Sequence, residues 1–222
     1  MDTSQLIEKI SIYALPVLFA ITVHEAAHGY AARHFGDNTA WKLGRITLNP
    51  LKHIDLFGTI LLPLFLIAVS SPFVFGSAKP VPVHFGNLRN PKRDMIWVAL
   101  AGPSANLAMA LGWGILLYLF KGIGISERFF LEMCQGGIAF NVMLYAFNLF
   151  PLPPLDGGRI LVGLLPYRQA AFISRIEPVG IFVVLALAFA TPVIGVYWMQ
   201  PAMSLAYALL DLILSPLSML VH

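Results

Sequence analysis

His24-Glu25-Ala26-Ala27-His28 sets two imidazoles four residues apart with a carboxylate between them. On a helix, residues four apart share a face, so both rings can reach one metal ion while Glu25 stands one step round beside it. Shuffling this composition would give the pattern in only about 0.4% of sequences, so the spacing is not incidental. The surrounding sequence is apolar, and each ionisable side chain deep in a bilayer costs roughly 2.5–3.5 kcal/mol. A zinc ion would compensate three of them in one turn by coordinating neutral imidazoles, with its water hydrogen-bonded to the carboxylate. A polar patch lining a water cavity, or pairing between helices, is the blander reading. A catalytic zinc takes three protein ligands and keeps one position open, and Asp156 is the candidate third ligand. It lies in Asn148-Leu149-Phe150-Pro151-Leu152-Pro153-Pro154-Leu155-Asp156-Gly157-Gly158-Arg159. There prolines end a helix and glycines let the backbone turn closely. Taken without the helical partner, Asp156 reads as a turn or cap residue.

The elements that must position these groups are apolar. Of 222 residues 58% are hydrophobic and 11% charged, with mean hydropathy +0.78, whereas soluble domains carry about a quarter charged residues. That composition excludes disorder, collagen, a disulfide scaffold and nucleic-acid binding; Cys134 is the one cysteine. A hydrocarbon core of about 30 Å needs roughly 20 apolar residues in a helix, and candidates fall near 10–33, 56–76, 94–120, 133–150, 178–199 and 202–221. The first lacks a basic leader and reads as a retained span.

Pro63 and the basic flanks of 56–76 suggest a segment that dips in and returns. With that arrangement Arg33, Lys42, Arg45, Lys52, Lys79, Arg89, Lys92, Arg93, Arg159, Arg168 and Arg175 share the cytoplasmic side, eleven of the 14 Lys and Arg residues, as the positive-inside tendency asks. It also brings His24, His28 and Asp156 to one face, whereas a full crossing separates them. The expected fold is an all-α polytopic membrane protein, one domain over 1–222, with five to six transmembrane helices, a re-entrant segment and a small membrane-associated β element. The β element would come from 41–48, which roughly alternates, and 78–85, whose prolines restrict it to an edge.

These residues resemble the site-2 protease family of intramembrane zinc metalloproteases. The likeness is carried by His24-Glu25-x-x-His28 in an apolar helix and Leu155-Asp156-Gly157 after Asn148-x-x-Pro151. Gly102-Pro103-Ser104-Ala105-Asn106 matches the family's Gly-Pro-x-x-Asn signature, and Ala78-Lys79-Pro80-Val81-Pro82-Val83 with Asn87-Leu88-Arg89-Asn90-Pro91 is similar to its compact prokaryotic members. No PDZ or CBS insertion interrupts the pattern. The resemblance implies one Zn2+ held by His24, His28 and Asp156, Glu25 as general base, and a membrane-spanning protein segment as substrate. It places the chain in the lipid bilayer of a prokaryotic plasma membrane, with its site toward the cytoplasm; the oligomeric state stays open.

Peptide hydrolysis is the expected chemistry, and Asn148 and Asn106 are amide candidates for holding substrate or oxyanion, with helix-to-helix hydrogen bonding as their alternative. The 41–48 and 78–85 segments could pair with an unwound substrate by strand addition. His34, His53 and His84 read as solvated. Asp211, inside an apolar run, reads as a buried hydrogen bond. Two other classes fit the same residues, a membrane metal carrier and a catalytically silent membrane binding protein.

Overall fold

The computed structural model describes residues 3–61, 65 and 78–219. Helix α1 spans Thr3–His34, and a four-residue α2, Thr39–Lys42, follows. After the connection come α3, Pro91–Gly122, and α4, Arg128–Asn148. Three shorter helices, α5 (Asp156–Leu164), α6 (Tyr167–Ser174) and α7 (Glu177–Ala190), lead to α8 (Gln200–Met219). Among the described residues, four helical stretches are long and apolar enough to cross a membrane: Ile7–His34, Pro91–Gly122, Arg128–Asn148 and Val193–Met219. A fifth exists if α6 and α7, bent 70° to each other, count as one.

Four or five such stretches among the described residues stand against the five to six expected, of which the candidate 56–76 lies almost wholly outside them, and the last third is divided differently from the sequence expectation. Gln200-Pro201 looked like the break between two spans, but the chain turns earlier, at Thr191-Pro192. A π-helical stretch, Val193–Met199, then runs straight into α8. Pro201 therefore lies inside a continuous helical run, where it removes one donor from the ladder at the junction of the π-helical stretch with α8. The re-entrant reading of 56–76 falls almost wholly outside the described residues; Leu56–Leu61 is π-helical.

The expected β element is not present among the described residues. The alternation in 41–48 begins inside a helical turn, Thr39–Lys42, entered through Asp37, whose Oδ1 accepts from the Thr39 N–H at 3.0 Å and from Thr39 Oγ1 at 2.5 Å. Eight roughly alternating residues did not outweigh that local side-chain-to-backbone bond. The 78–84 segment is extended but is held by side chains rather than by a neighbouring strand. Arg45 donates to Lys79 O, Asp37 Oδ2 accepts from the His84 N–H at 2.7 Å, and Glu25 accepts from the Val81 N–H.

Small residues bring the long helices together. A Cβ at Gly114 would stand 2.5 Å from Leu214 Cδ1, one at Gly136 2.5 Å from the Tyr13 ring and one at Gly137 2.4 Å from Trp113. Around these contacts Ala110, Val142, Ala206, Leu210 and Leu214 form a buried cluster joining α3, α4 and α8.

Candidate metal centre

Two elements that are far apart in sequence meet at one point. His24 and His28 lie one turn apart on α1, and Asp156 is the first residue of α5. All three are buried, at 7%, 8% and 5% exposure. His24 Nε2 and His28 Nε2 are 3.1 Å apart, and each is 3.3 Å from Asp156 Oδ2.

The other ring nitrogens decide what these atoms are. His24 Nδ1 lies 2.6 Å from Asn106 Oδ1 and His28 Nδ1 lies 2.7 Å from the Val98 carbonyl oxygen. The Val98 carbonyl can only accept, so His28 carries its proton on Nδ1. The orientation of Asn106 follows in the same way. Its Nδ2 donates to the Ala20 carbonyl at 3.2 Å and to Asn141 Oδ1 at 2.9 Å, and Asn141 Nδ2 donates to the Gly137 carbonyl at 2.8 Å. Backbone carbonyls at both ends of this chain leave Asn106 Oδ1 facing His24, which must then donate from Nδ1. In the neutral imidazoles both Nε2 atoms are therefore lone-pair acceptors, and they face a carboxylate oxygen that is buried and has no hydrogen-bond partner among the described residues.

Three acceptors at 3.1–3.3 Å with no proton between them repel one another unless a cation sits among them. A tetrahedral ion with bonds of about 2.0–2.1 Å sets its ligand atoms about 3.3 Å apart, so the triangle fits one face of such a site and leaves the fourth position open. His, His and Asp are also the donor types that zinc accepts.

Comparison with known proteins points the same way. The chain is 39% identical over 199 residues to the Bacillus subtilis protein named "Putative zinc metalloprotease YwhC", covering 86% of this chain and 84% of that one. The chain belongs to peptidase family M50. The profile of Peptidase family M50 matches residues 125–191, which include Asp156. A Mycolicibacterium smegmatis protein named "Putative zinc metalloprotease Rip2" is 30% identical over 211 residues, covering 89% of this chain and 77% of that one. No solved structure gives a significant match. This M50 chain is thus a zinc-dependent metalloprotease of the site-2 protease type.

In the M50 chain Asp156 opens helix α5 instead of standing on irregular backbone, which ends just before it at Leu155, and the glycines serve differently from the turn expected of them. Neither Gly157 nor Gly158 has a positive φ among the described residues. A Cβ on Gly157 would instead lie 2.1 Å from the Leu149 carbonyl oxygen, and one on Gly158 2.1 Å from Pro153 N, so the loop folds back on α5 too tightly for any side chain. Trp198 Nε1 donates to the Ala146 carbonyl at 2.8 Å, satisfying one of the acceptors left open where α4 ends, and its ring meets Phe150 edge-on at 5.7 Å. Phe150, Leu155, Val184 and Ile194 form the apolar cluster beneath this loop.

Gly102 was quoted in the sequence only as part of a motif, and the structure gives it a task. A Cβ there would stand 2.4 Å from His28 Nε2 and 2.6 Å from His24 Cε1. The absent side chain is what lets α3 lie against both rings. Asn106, for which substrate contact and helix-to-helix hydrogen bonding both stood open, is wholly buried, and both ends of its amide are engaged within the protein. Asn148 donates from Nδ2 to Leu144 O of its own helix at 3.0 Å and is not among the metal-facing groups. Asn141 went unnoticed because nothing in its sequence neighbourhood marks it; only its place against Asn106 does.

Glu25 is half-buried beside the two histidines, and its Oε2 accepts from the Val81 N–H at 2.7 Å. Val81 itself is buried, its side chain lying close to Gly29 on α1. Among the other histidines, His34 and His84 are exposed as expected. His53 is not: it is 2% exposed, with Nε2 2.9 Å from the Thr47 carbonyl, because the 47–53 turn closes over it.

Proposed function

We propose that this chain is an intramembrane endopeptidase in which His24, His28 and Asp156 hold one zinc ion and Glu25 is the general base. The observation that carries this reading is the triangle of three mutually facing acceptors, with both histidine tautomers dictated by carbonyl oxygens. When bound, the zinc polarises a scissile carbonyl and acidifies the attacking water. Glu25 takes that water's proton and returns it to the leaving amine nitrogen. Meanwhile Asn106, through its Oδ1, keeps the His24 ring turned so that Nε2 remains free of a proton. Asn148, eight residues before Asp156, is the remaining amide for holding a substrate backbone, once its donor leaves Leu144 O.

The substrate we infer is a membrane-spanning segment of another protein. Four or five long apolar helices support the bilayer setting, as do large apolar side chains on their outer surfaces, among them Phe19, Trp97, Leu119, Leu205 and Leu212. Lys9, Lys121 and Arg128 sit at the end formed by the start of α1, the close of α3 and the start of α4. Arg33 lies in the last turn of α1, Lys42, Arg45, Lys52, Lys79 and Arg89 lie between α1 and α3 or in the short α2, Lys92 and Arg93 open α3, and Arg159 lies in the first turn of α5, which supports a plasma membrane with the site toward the cytoplasm. A helix has its carbonyls satisfied internally, so the substrate must unwind before it is cut.

The test is zinc per purified chain by elemental mass spectrometry, together with cleavage of a model single-span substrate in proteoliposomes. The wild type should carry one zinc and cleave. Asp156→Ala should lose the metal. Glu25→Gln should keep it while turnover falls by about 10²–10⁴-fold. Zinc retained in Asp156→Ala would remove Asp156 from the site, and wild-type turnover in Glu25→Gln would remove the base.

A further inference from the structure

Helix α8 carries six polar side chains, Gln200, Ser204, Tyr207, Asp211, Ser215 and Ser218, spaced four, three, four, four and three residues apart. That spacing puts all six on one flank. The adjoining face, Ala206, Leu210 and Leu214, is buried against α3 and α4, and Leu205, Leu209, Leu212 and Ile213 are exposed on the other side. Asp211 was expected to be a buried hydrogen bond. It is exposed instead, and its carboxylate has no partner among the described residues.

Its position sharpens the problem. Asp211 is the only Asp, Glu, Lys or Arg in Val193–Met219 and lies eight residues, about 12 Å at 1.5 Å per residue, before the end of that stretch. A short carboxylate cannot reach water from there as a lysine could. Elsewhere the chain turns its intramembrane polar groups inward, as with His24, Asn106, Asn141 and Asp156. This one faces outward on a flank that also exposes Gln200 and Ser204, while Tyr207 packs partly against the buried cluster and Ser215 and Ser218 donate to carbonyls of their own helix; amides and hydroxyls are residue types that join helices in lipid.

We propose that this flank of α8 receives a transmembrane helix of a different protein that brings a Lys or Arg side chain to Asp211. Charge complementarity sets the occupant. Helix α8 itself holds no Lys or Arg, so the same flank of a second copy offers no cation. A two-fold pairing would bring acid against acid. The inference rests on the bilayer setting of the preceding reading, though not on its chemistry.

The experiment uses the full chain in proteoliposomes, with labelled poly-leucine transmembrane peptides that carry either one lysine at the depth of Asp211 or none. Energy transfer should show the lysine peptide associating about fivefold more tightly than the all-leucine one. Asp211→Leu should abolish that preference and Asp211→Asn should reduce it, while zinc content and cleavage of the model substrate stay at wild-type levels. Equal binding of the two peptides, or a preference that survives Asp211→Leu, would overturn the proposal. So would energy transfer between two labelled copies of the chain that disappears in Asp211→Leu, since that would make the flank a self-association surface. A chain stripped from the vesicles by carbonate would remove the bilayer setting and this proposal with it, leaving the zinc result intact.

Discussion

The two sides of α1 around residues 24–29 are built by different means. On one side the imidazoles of His24 and His28 are clamped by helices: Gly102 leaves no gap, and Val98, Asn106 and Asn141 fix every proton. On the other side Glu25 and Gly29 face extended chain, with Ile46 and Val81 against Gly29 and the Val81 amide on the carboxylate. The 78–90 stretch is pinned by side-chain-to-backbone bonds, among them Asp37 to His84 and Arg89 Nη2 to His34 O at 2.9 Å. Ligands that must hold an ion are set by packing that can hardly move. The base, which must exchange partners during a reaction, is set against a segment whose anchors can be released singly.

The contrast breaks most completely at Gly102. Gly102→Ala puts a methyl 2.4 Å from His28 Nε2, so zinc per chain should fall from one to near zero while far-ultraviolet circular dichroism keeps its helical signal. A full complement of zinc in that variant would show that the clamp yields. Next comes Asn106→Leu, which removes the acceptor that sets the His24 tautomer and should weaken zinc about 10–100-fold in competition with a chelator. Asn106→Asp still accepts from Nδ1 but sets a carboxylate oxygen against the Ala20 carbonyl and Asn141 Oδ1, so it should recover only part of that affinity. Asn141→Leu should cost less, a few-fold, because the Ala20 carbonyl still orients the Asn106 amide.

On the other side of α1 the smallest effect is expected, and it should leave the metal alone. Burial alone would raise the Asp37 pKa, but hydrogen bonds from the Thr39 hydroxyl, the His84 and Thr39 amides and Asn87 together hold it below the ordinary 3.8. A carboxylate with a depressed folded pKa contributes stability that is complete above the unfolded value and is lost as pH falls through the folded one. Protection of the His84 amide from hydrogen exchange should therefore hold at neutral pH and decline only below 3.8. Asp37→Asn should lower it by about tenfold at neutral pH, with zinc content unchanged. Zinc lost along with that protection would merge the two sides into one unit.

How much of this was legible beforehand follows from range. His24, Glu25 and His28 were legible because helical spacing is local, and Asp156 because prolines and glycines announce irregular backbone. The common site of the two motifs was expected from charge bias and metal geometry, and the structure brings the residues together. Gly102 was not legible, since its contribution is a side chain it lacks, against rings some 75 positions away. Nor was the role of Asn106: an amide's type is visible in sequence, but which of its two ends meets a histidine is a three-dimensional fact. Thr191-Pro192 and Gln200-Pro201 look alike in one dimension, and only the packing of Ile194 and Trp198 under the aspartate loop decides between them.

The Val81 amide sits between Pro80 and Pro82, so along 80–82 it is the only nitrogen able to donate. A shift of the segment by one residue would offer Glu25 a proline nitrogen and leave its oxygen dry. The next position that restores a donor lies two residues along, nearly 7 Å of extended chain. The two prolines thus act as a detent, holding the strip that covers the base in one setting or releasing it altogether, with no half-engaged state between.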